Sequence, residues 1–466
     1  MNQIATLISL VSLPILFVLT VMSPFVASNA VVLGMSITYV FASALCFLAM
    51  ILDDRKGGVS FMFEFFLLFF IAVPASLQIS VGVFPWFAKL EPQYMAGGFG
   101  LITLSHLSYH LGWLLAAHKT THAHTPTPLT LSSQDALFYT KWAWGFAAVA
   151  TLFALGAGPS NLFVARFERA GANFGGLTQQ FLFMCRSIGL LAIVMMLYLC
   201  KNVQSRRIKR QNIYALVIYA PVFSVIYYLP ALPRFILFGL FLAISTMFVN
   251  YFYPRVKALV AGAAVFMLFI VFPVIKSLGA GELNWAGFAR RADLSAISAY
   301  LLRVDFDGFM QITSTVQYLS EDIGGIRYGE NFLGVLLFFI PRGIWHGKPI
   351  DTGDIVANGL SFWYTNVSSP LPAEALMAFG YVGPVLVFGL LAYWVYRIES
   401  LAKPSLAQVP VAKSVFLYAI LMGFIVIIMR GALNGVAPQF ASAFLCFYIM
   451  QFAKTHKIVW SRKART

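Results

Sequence analysis

The chain has 466 residues, of which 60% are hydrophobic and only 11% are charged. This leaves too little polar surface to cover a water-soluble protein of this length, so the composition excludes a soluble globular fold. The formal net charge of +15 does not indicate a nucleic-acid partner, because the basic residues lie mostly in short segments between apolar runs.

Apolar runs of about 20 residues recur along the chain, and runs of that length can cross the hydrocarbon core of a bilayer. Continuous runs predict helices and not the short alternating strands of a membrane barrel. We therefore predict an all-α polytopic integral membrane protein with about twelve transmembrane helices. In chain order, the predicted spans cover residues 4–22, 31–52, 59–82, 97–117, 142–158, 181–200, 213–229, 235–252, 258–278, 377–396, 415–429 and 436–453.

The segments that connect these spans alternate in their content of lysine and arginine. More than half of the 32 basic residues lie on one face, and the positive-inside rule makes this face cytoplasmic, together with both termini. The basic residues on the cytoplasmic face are Arg55, Lys56, Lys119, Lys141, Lys201, Arg206, Arg207, Lys209, Arg210, Arg255, Lys257, Arg397, Lys403, Lys413, Lys454, Lys457, Arg462, Lys463 and Arg465.

One large segment on the opposite, periplasmic face divides the chain. Helices 1 to 9 occupy residues 1–278 and include a smaller outer loop near 159–180. The large loop follows over 279–376, then helices 10 to 12 over 377–453 and a basic tail over 454–466. The loop holds most of the acidic residues, and a loop rich in both charge signs suits binding or catalysis. Within it, an apolar run near 331–341 is too short to span and predicts a re-entrant or interfacial helix that ends at Pro341.

Basic side chains recur on the outer face. A guanidinium stays charged and forms forked hydrogen bonds to phosphate oxygens, so these side chains suit a lipid-linked pyrophosphate. Alternatively, each one only meets lipid head groups or a nearby carboxylate. Arg234 and Arg430 stand at short turns beside apolar spans, where an unused charge is costly. The predicted pyrophosphate or glycan ligands are Arg166, Arg169, Arg234, Arg290, Arg291, Arg303, Arg342, Lys348 and Arg430.

The most specific segment reads FIPRGIWHGKPIDTGD, from Phe339 to Asp354. It resembles the Pro-Arg-x-x-Trp-x-x-Lys-Pro pattern of the Wzy-type O-antigen polymerases. Arg342 and Gly353 of this chain also have the Arg-x10-Gly spacing described for the outer loops of that family. Arg166 and Gly176 in the first outer loop miss that spacing by one residue. Other residues similar to the family's pattern are Pro341, Trp345, Lys348, Pro349, Ser369, Pro370, Glu374, Gly380, Gly383, Arg430 and Gly431.

This resemblance implies a polysaccharide polymerase of the bacterial inner membrane, with a fold like the C class of membrane glycosyltransferases (GT-C). Its substrates would be oligosaccharide repeat units on undecaprenyl pyrophosphate, joined at the periplasmic face into O-antigen, capsule or exopolysaccharide. A chain-length regulator protein would be a further partner, and no cofactor is expected. The basic residues would stabilise the leaving pyrophosphate, and Glu374, His346 or Asp305 would serve as general base.

Two other functions fit the same features. An O-antigen ligase would use the same donor but transfer finished polymer to the lipid A core. A flippase for the same lipid would need polar residues along its spans, whereas the charges here lie in an outer loop. The chain also has no internal repeat, although many transporters are built from repeated halves. The Pro-Arg-x-x-Trp-x-x-Lys-Pro segment favours the polymerase.

No metal site is expected from the sequence. Asp305 and Asp307 form an Asp-Phe-Asp similar to the metal-binding Asp-x-Asp of soluble nucleotide-sugar transferases, but so short a match in a charged loop is often accidental. His118, His122 and His124 lie in a proline- and threonine-rich cytoplasmic loop, which indicates a solvated linker.

The ionisable residues inside the predicted spans are interpreted as structural. His106 and His110 share one helical face and are expected to pack against neighbouring helices. Glu64 lies near a cytoplasmic helix end and is expected to reach the membrane interface. The four cysteines have no paired or metal-like spacing and are interpreted as apolar filler: Cys46, Cys185, Cys200 and Cys446.

Overall fold

The computed structural model describes residues 2–26, 28–87, 89–120, 131–164, 176–272, 294–340, 342–365, 367–403 and 412–463. Within these ranges the chain is helical and has no β-strand. In chain order the helices are α1 (Asn2–Met22), α2 (Asn29–Leu52), α3 (Gly58–Val81, with a π-helical turn at Leu67–Ala72), α4 (Pro92–Thr120), α5 (Ser133–Gly156), α6 (Pro159–Phe163), α7 (Gly176–Asn202), α8 (Arg206–Ile226), α9 (Arg234–Ser245), α10 (Pro254–Val271, with a π-helical turn at Met267–Val271), α11 (Leu294–Leu301), α12 (Gly308–Ser320), α13 (Glu330–Leu336), α14 (Thr352–Gly359), α15 (Leu371–Phe379), α16 (Val382–Ala402), α17 (Ala412–Arg430) and α18 (Leu433–Lys463).

The described part of the chain contains seven helices that are long and apolar enough to cross a membrane. They are α1, α2, α3, α7, α10, α16 and α17. The protein is therefore a helical multi-pass membrane protein, as the composition predicted. The remaining predicted spans fall on helices that are shorter, as with α9, or less apolar, as with α4, α5, α8 and α18.

Helices α11 to α15 form the segment that the sequence predicts to be the large periplasmic loop, hereafter the outer segment. Two element boundaries at this segment differ from the sequence prediction. The tenth span begins at Val382 and not at residue 377, because Gly380 adopts a left-handed φ of 61° and separates α15 from α16. The predicted re-entrant helix is also shorter than expected, since α13 ends at Leu336 and not at Pro341. The carbonyl groups of Phe338 and Ile340, just beyond α13, accept hydrogen bonds from the Lys348 ammonium.

Two hydrophobic cores lie side by side in the bundle. The first is built mainly from α1 to α4 and α16, and the second mainly from α5, α7, α8 and α18. Helices α9 and α17 contribute to both. On α17, Met422 and Ile425 belong to the first core, whereas Phe416 and Ala419 belong to the second. Because both of its faces are covered, 78% of the apolar stretch of α17 is buried, against 22% for α1 at the edge of the bundle.

Glycines allow two of the helix crossings to be close. Gly239 of α9 faces the backbone of Gly423 in α17, and Gly112 of α4 faces the backbone of Gly389 in α16. A methyl group on Gly239 or Gly112 would overlap these neighbouring main chains. Transmembrane helices commonly use small residues in this way to gain van der Waals contact. The crossings hold in fixed positions α16, which follows the outer segment, and α17, whose last residue contacts that segment.

Candidate active site

A cavity of about 490 Å³ opens where the outer segment meets two helix ends. Its size is within the range of about 300–1,000 Å³ that is typical of small-molecule sites. One wall is the beginning of α7, another is the beginning of α18, and the remainder is α13 with the connection from α13 to α14. The lining residues are Leu177, Gln179, Gln180, Phe183, Gly334, Phe338, Arg342, Gly343, Lys348, Pro349, Ile350, Asp351, Asp354, Asn434 and Gly435.

The Pro-Arg-x-x-Trp-x-x-Lys-Pro segment is folded by its own two basic side chains. The guanidinium of Arg342 donates to the carbonyl oxygens of Lys348, at 2.7 Å, and Pro349, at 3.1 Å. The Lys348 ammonium donates in the opposite direction, to the carbonyl oxygens of Phe338 at 2.7 Å and Ile340 at 2.9 Å. The spacing of Arg342 and Lys348 in the sequence therefore closes a compact loop that forms one side of the cavity.

Arg342 keeps donor capacity for a ligand. A guanidinium carries five N–H groups, and its two hydrogen bonds to the loop are its only ones among the described residues. Its side chain is exposed and lines the cavity. Burial lowers the pKa of Lys348, and the neighbouring positive charge of Arg342 lowers it further. An anion in the cavity would offset that charge.

Asp351 is the carboxylate best placed to act as a base in this cavity. It lines the cavity at the beginning of α14, and its Oδ1 atom is buried without a hydrogen-bond partner in the described part of the chain. Burial, followed by the negative charges of Glu374 and Asp354, raises the pKa of Asp351 from 3.8 to about 6. A carboxylate with a pKa near neutral can both accept and release a proton at physiological pH. Asp351 was not among the catalytic residues expected from the sequence.

The contacts of Glu374 hold neighbouring parts of the cavity in position. Its side chain is fully buried and accepts hydrogen bonds from Asn331 Nδ2 at 2.7 Å, Thr352 Oγ1 at 2.6 Å and the Leu433 N–H at 3.3 Å. These donors belong to α13, α14 and the beginning of α18, so one carboxylate joins these three helices to α15. Because Thr352 and Leu433 are directly adjacent to Asp351 and Asn434, Glu374 fixes where those cavity residues lie. It does not itself line the cavity.

A second polar cluster surrounds Asp307. Its carboxylate accepts hydrogen bonds from the Ser368 hydroxyl at 2.7 Å and the Trp86 indole at 3.2 Å. The Arg430 guanidinium lies 3.8 Å from Asp307 and stacks over the ring of Phe235, 4.5 Å from its centroid. Arg430 is the last residue of α17, so this cluster holds the α17–α18 turn against the outer segment.

The backbone conformation and close packing of Gly431 explain why a glycine follows Arg430. Its φ is 75°, in the left-handed region that favours glycine, and a side chain there would overlap the backbone of Ser369. The close approach brings the beginning of α18 up to the segment that precedes α15. It therefore positions Asn434 and Gly435, which line the cavity.

Arg234 and Asp305 form a third cluster. The Arg234 guanidinium donates to Asp305 Oδ1 at 2.8 Å, to the Tyr300 hydroxyl at 3.1 Å and to the carbonyl of Phe272 at 3.3 Å. Burial, followed by the negative charge of Asp305, raises the pKa of Tyr300 to about 12. Neither Arg234 nor Asp305 lines the cavity described above. Because Arg234 and Asp305 bind each other, this pair fastens the beginning of α9 to the outer segment.

The predicted site residues thus separate into groups. Arg342 and Lys348 line the cavity, whereas Glu374 lies behind its wall and His346 is exposed outside it. Arg303 is exposed beside a different cavity, formed with Trp86 and Trp363. Arg430 and Arg234 are in the two carboxylate clusters. Four predicted ligands lie outside the described residues: Arg166, Arg169, Arg290 and Arg291.

Comparison of the chain with protein-family models, with curated proteins and with solved structures finds no match.

Proposed function

We propose that the protein is a membrane-integrated glycosyltransferase that polymerises oligosaccharide repeat units carried on undecaprenyl pyrophosphate. The observation that carries the proposal is the composition of one cavity, in which Arg342 and Lys348 lie with Asp351. All three belong to the segment that resembles the Wzy-type O-antigen polymerases. The proposal includes twelve spans, cytoplasmic termini and a location in the bacterial inner membrane, with the cavity on the periplasmic side.

The donor's pyrophosphate is assigned to the basic side of the cavity. Departure of undecaprenyl pyrophosphate leaves negative charge on its phosphate oxygens, and cations placed in advance lower the energy of that transition state. The free N–H groups of Arg342 supply forked donors, and Lys348 adds a second positive charge. Apolar side chains at the same cavity, Leu177, Phe183 and Phe338, offer a surface for the first isoprene units.

The acceptor's hydroxyl is assigned to Asp351. In the transfer step the hydroxyl oxygen of one repeat unit forms a bond to the anomeric carbon of the growing chain. The bond between that carbon and the phosphate oxygen breaks, and undecaprenyl pyrophosphate leaves with the bonding electrons. Asp351 takes the hydroxyl proton as general base. Gln179, Gln180 and Asn434, which also line the cavity, provide hydrogen-bonding groups for sugar hydroxyls.

Deletion of the gene tests the function directly. Electrophoresis of the surface polysaccharide should then show single repeat units on the core, and the wild-type gene should restore the ladder of longer chains. A bare core, with polymer left on the lipid carrier, would instead identify a ligase. An accumulation of lipid-linked repeat units on the cytoplasmic face would identify a flippase.

A further inference from the structure

Four side chains of the types that bind transition metals meet inside the helical bundle. Cys46 of α2, Glu64 of α3, and His106 and His110 of α4 each offer one ligand atom, and all four atoms lie within 4.8 Å of one another. All four residues are buried, and Glu64 and His106 are completely inaccessible. The structure thus corrects the expectation that Glu64 reaches the membrane interface. It brings Cys46 and Glu64 to the two histidines from different helices.

The polar atoms of this cluster do not satisfy one another. His106 Nε2 is hydrogen-bonded to Glu64 Oε2 at 2.9 Å. His110 Nε2 lies 3.1 Å from Glu64 Oε1, but the two atoms are not oriented for a hydrogen bond, and His106 Nδ1 has no hydrogen-bond partner among the described residues. A buried polar atom without a partner typically costs about 1–3 kcal/mol. Three such atoms, Glu64 Oε1, His106 Nδ1 and His110 Nε2, lie in one buried cluster and can serve as ligand atoms.

We propose that Cys46, Glu64, His106 and His110 bind one divalent transition-metal ion of the zinc type. Two imidazoles, one thiolate and one carboxylate are ligands that zinc accepts in tetrahedral geometry, with bonds of about 2.0–2.3 Å and neighbouring ligand atoms therefore about 3.3–3.8 Å apart. The observed separations of 2.9 Å, 3.1 Å and up to 4.8 Å bracket that range.

Charge balance favours this ligand set. A divalent ion with one thiolate, one carboxylate and two neutral imidazoles has no net charge, which suits a site buried between helices. Binding releases the Cys46 thiol proton. The alternative without a metal is an ion pair between Glu64 and a protonated histidine, with Cys46 and the second histidine as its polar neighbours.

The residues around the four ligands indicate a structural metal site and not a catalytic one. Tyr39 and Phe63 pack edge-on against the His106 ring, with centroids 6.2 Å and 6.1 Å away, and exclude water. Four protein ligands leave no open position for a substrate, as in structural zinc sites. Cys46 is six residues before the end of α2 and Glu64 six residues after the beginning of α3, which is about 9 Å from those helix ends. The ion would join α2, α3 and α4.

This inference is independent of the proposed function, because none of the four residues lines the outer cavity. The test uses the full-length protein purified from cells grown with zinc, with its metal content measured by mass spectrometry. We expect about one zinc ion per chain. After exchange into cobalt, the wild-type protein should show intense tetrahedral visible bands and a thiolate-to-cobalt charge-transfer band in the near ultraviolet.

Cys46→Ala should abolish the charge-transfer band and weaken metal binding by at least about tenfold, since even outer-shell partners are worth 10–100-fold. Cys185→Ala is the matched control, because Cys185 is an equally buried cysteine in α7, away from the cluster. Zinc should raise the thermal unfolding midpoint of the wild type and of Cys185→Ala but not that of Cys46→Ala.

His110→Gln provides a second variant if Cys46→Ala does not fold, and it should lose zinc while keeping the thiol. Two results would overturn the proposal. One is wild-type protein that binds no zinc or cobalt after loading, and the other is a cobalt spectrum unchanged in Cys46→Ala.

Discussion

Asp351→Asn should reduce polymerisation and stabilise the protein at the same time. The substitution keeps the size of the side chain but removes the negative charge and the ability to take a proton. General-base catalysis typically contributes 10²–10⁴-fold, so we expect the rate of repeat-unit transfer to fall by about that factor. In the wild type the rate should rise with pH and reach a plateau above an inflection near 6, because Asp351 has its pKa raised to about 6 and must be deprotonated to act. The variant should lose this inflection.

The stability effect follows from the same pKa. A carboxyl group whose pKa is higher in the folded protein than in the unfolded chain favours the folded state most below the unfolded pKa. That advantage is lost as the pH rises from 3.8 to about 6, and above 6 the folded protein bears the full cost of the buried charge. The rise in pKa from 3.8 to about 6 corresponds to about 3 kcal/mol. At pH 7 Asp351→Asn should therefore raise the thermal unfolding midpoint in detergent.

The assay combines purified protein with a lipid-linked repeat unit and separates the products by chain length over a range of pH values. Asp354→Asn is the matched control, because Asp354 lines the same cavity but is not assigned the base. It should retain most of the activity and a pH inflection, shifted below that of the wild type because the charge of Asp354 also helps to raise the pKa of Asp351. A fully active Asp351→Asn variant, or one that loses activity only because it unfolds at a lower temperature, would refute the assignment of the base.

Four further predictions concern the outer site and the topology. Glu374→Gln should lower the thermal unfolding midpoint, because the amide group mispairs with the Asn331 and Thr352 donors. It should also shift the pH inflection of the remaining activity downwards, because Glu374 helps to raise the pKa of Asp351. An unchanged inflection would contradict this. Arg342→Ala should reduce chain extension by about 10²–10³-fold. Arg342→Lys should restore only part of the activity, because lysine lacks the forked N–H donors of a guanidinium. Full-length ladders from a normally expressed Arg342→Ala variant would exclude a role of Arg342 in binding the pyrophosphate. Brief exposure to excess EDTA should leave transfer activity intact, because Asp305 is paired with Arg234 and Asp307 accepts hydrogen bonds from Ser368 and Trp86. A loss of activity that magnesium or manganese reverses at once would show that a divalent ion binds the pyrophosphate. Reporter fusions should be periplasmic near residues 168 and 300 and cytoplasmic after residues 55, 130, 206, 256, 405 and 460, and a periplasmic signal at 206 would overturn the topology.

Local features of the sequence were sufficient for the class of protein and for two residues that line the candidate cavity. Apolar runs and short basic segments predicted a multi-pass helical membrane protein, because the bilayer sets the length of a span regardless of its neighbours. The Pro-Arg-x-x-Trp-x-x-Lys-Pro segment identified Arg342 and Lys348, whose hydrogen bonds stay within ten residues of each other along the chain.

Contacts between distant parts of the chain were decided only by the tertiary structure. Glu374 and Asp351 are both acidic residues of one loop, and the sequence does not distinguish a carboxylate surrounded by three donors from one that faces a cavity. Cys46 and Glu64 were interpreted separately because their meeting with His106 depends on how α2, α3 and α4 pack. Hydrophobic periodicity determines which face of a helix is buried. The partner that covers that face, and therefore the chemistry of a buried polar side chain, is determined by the packing of the whole bundle.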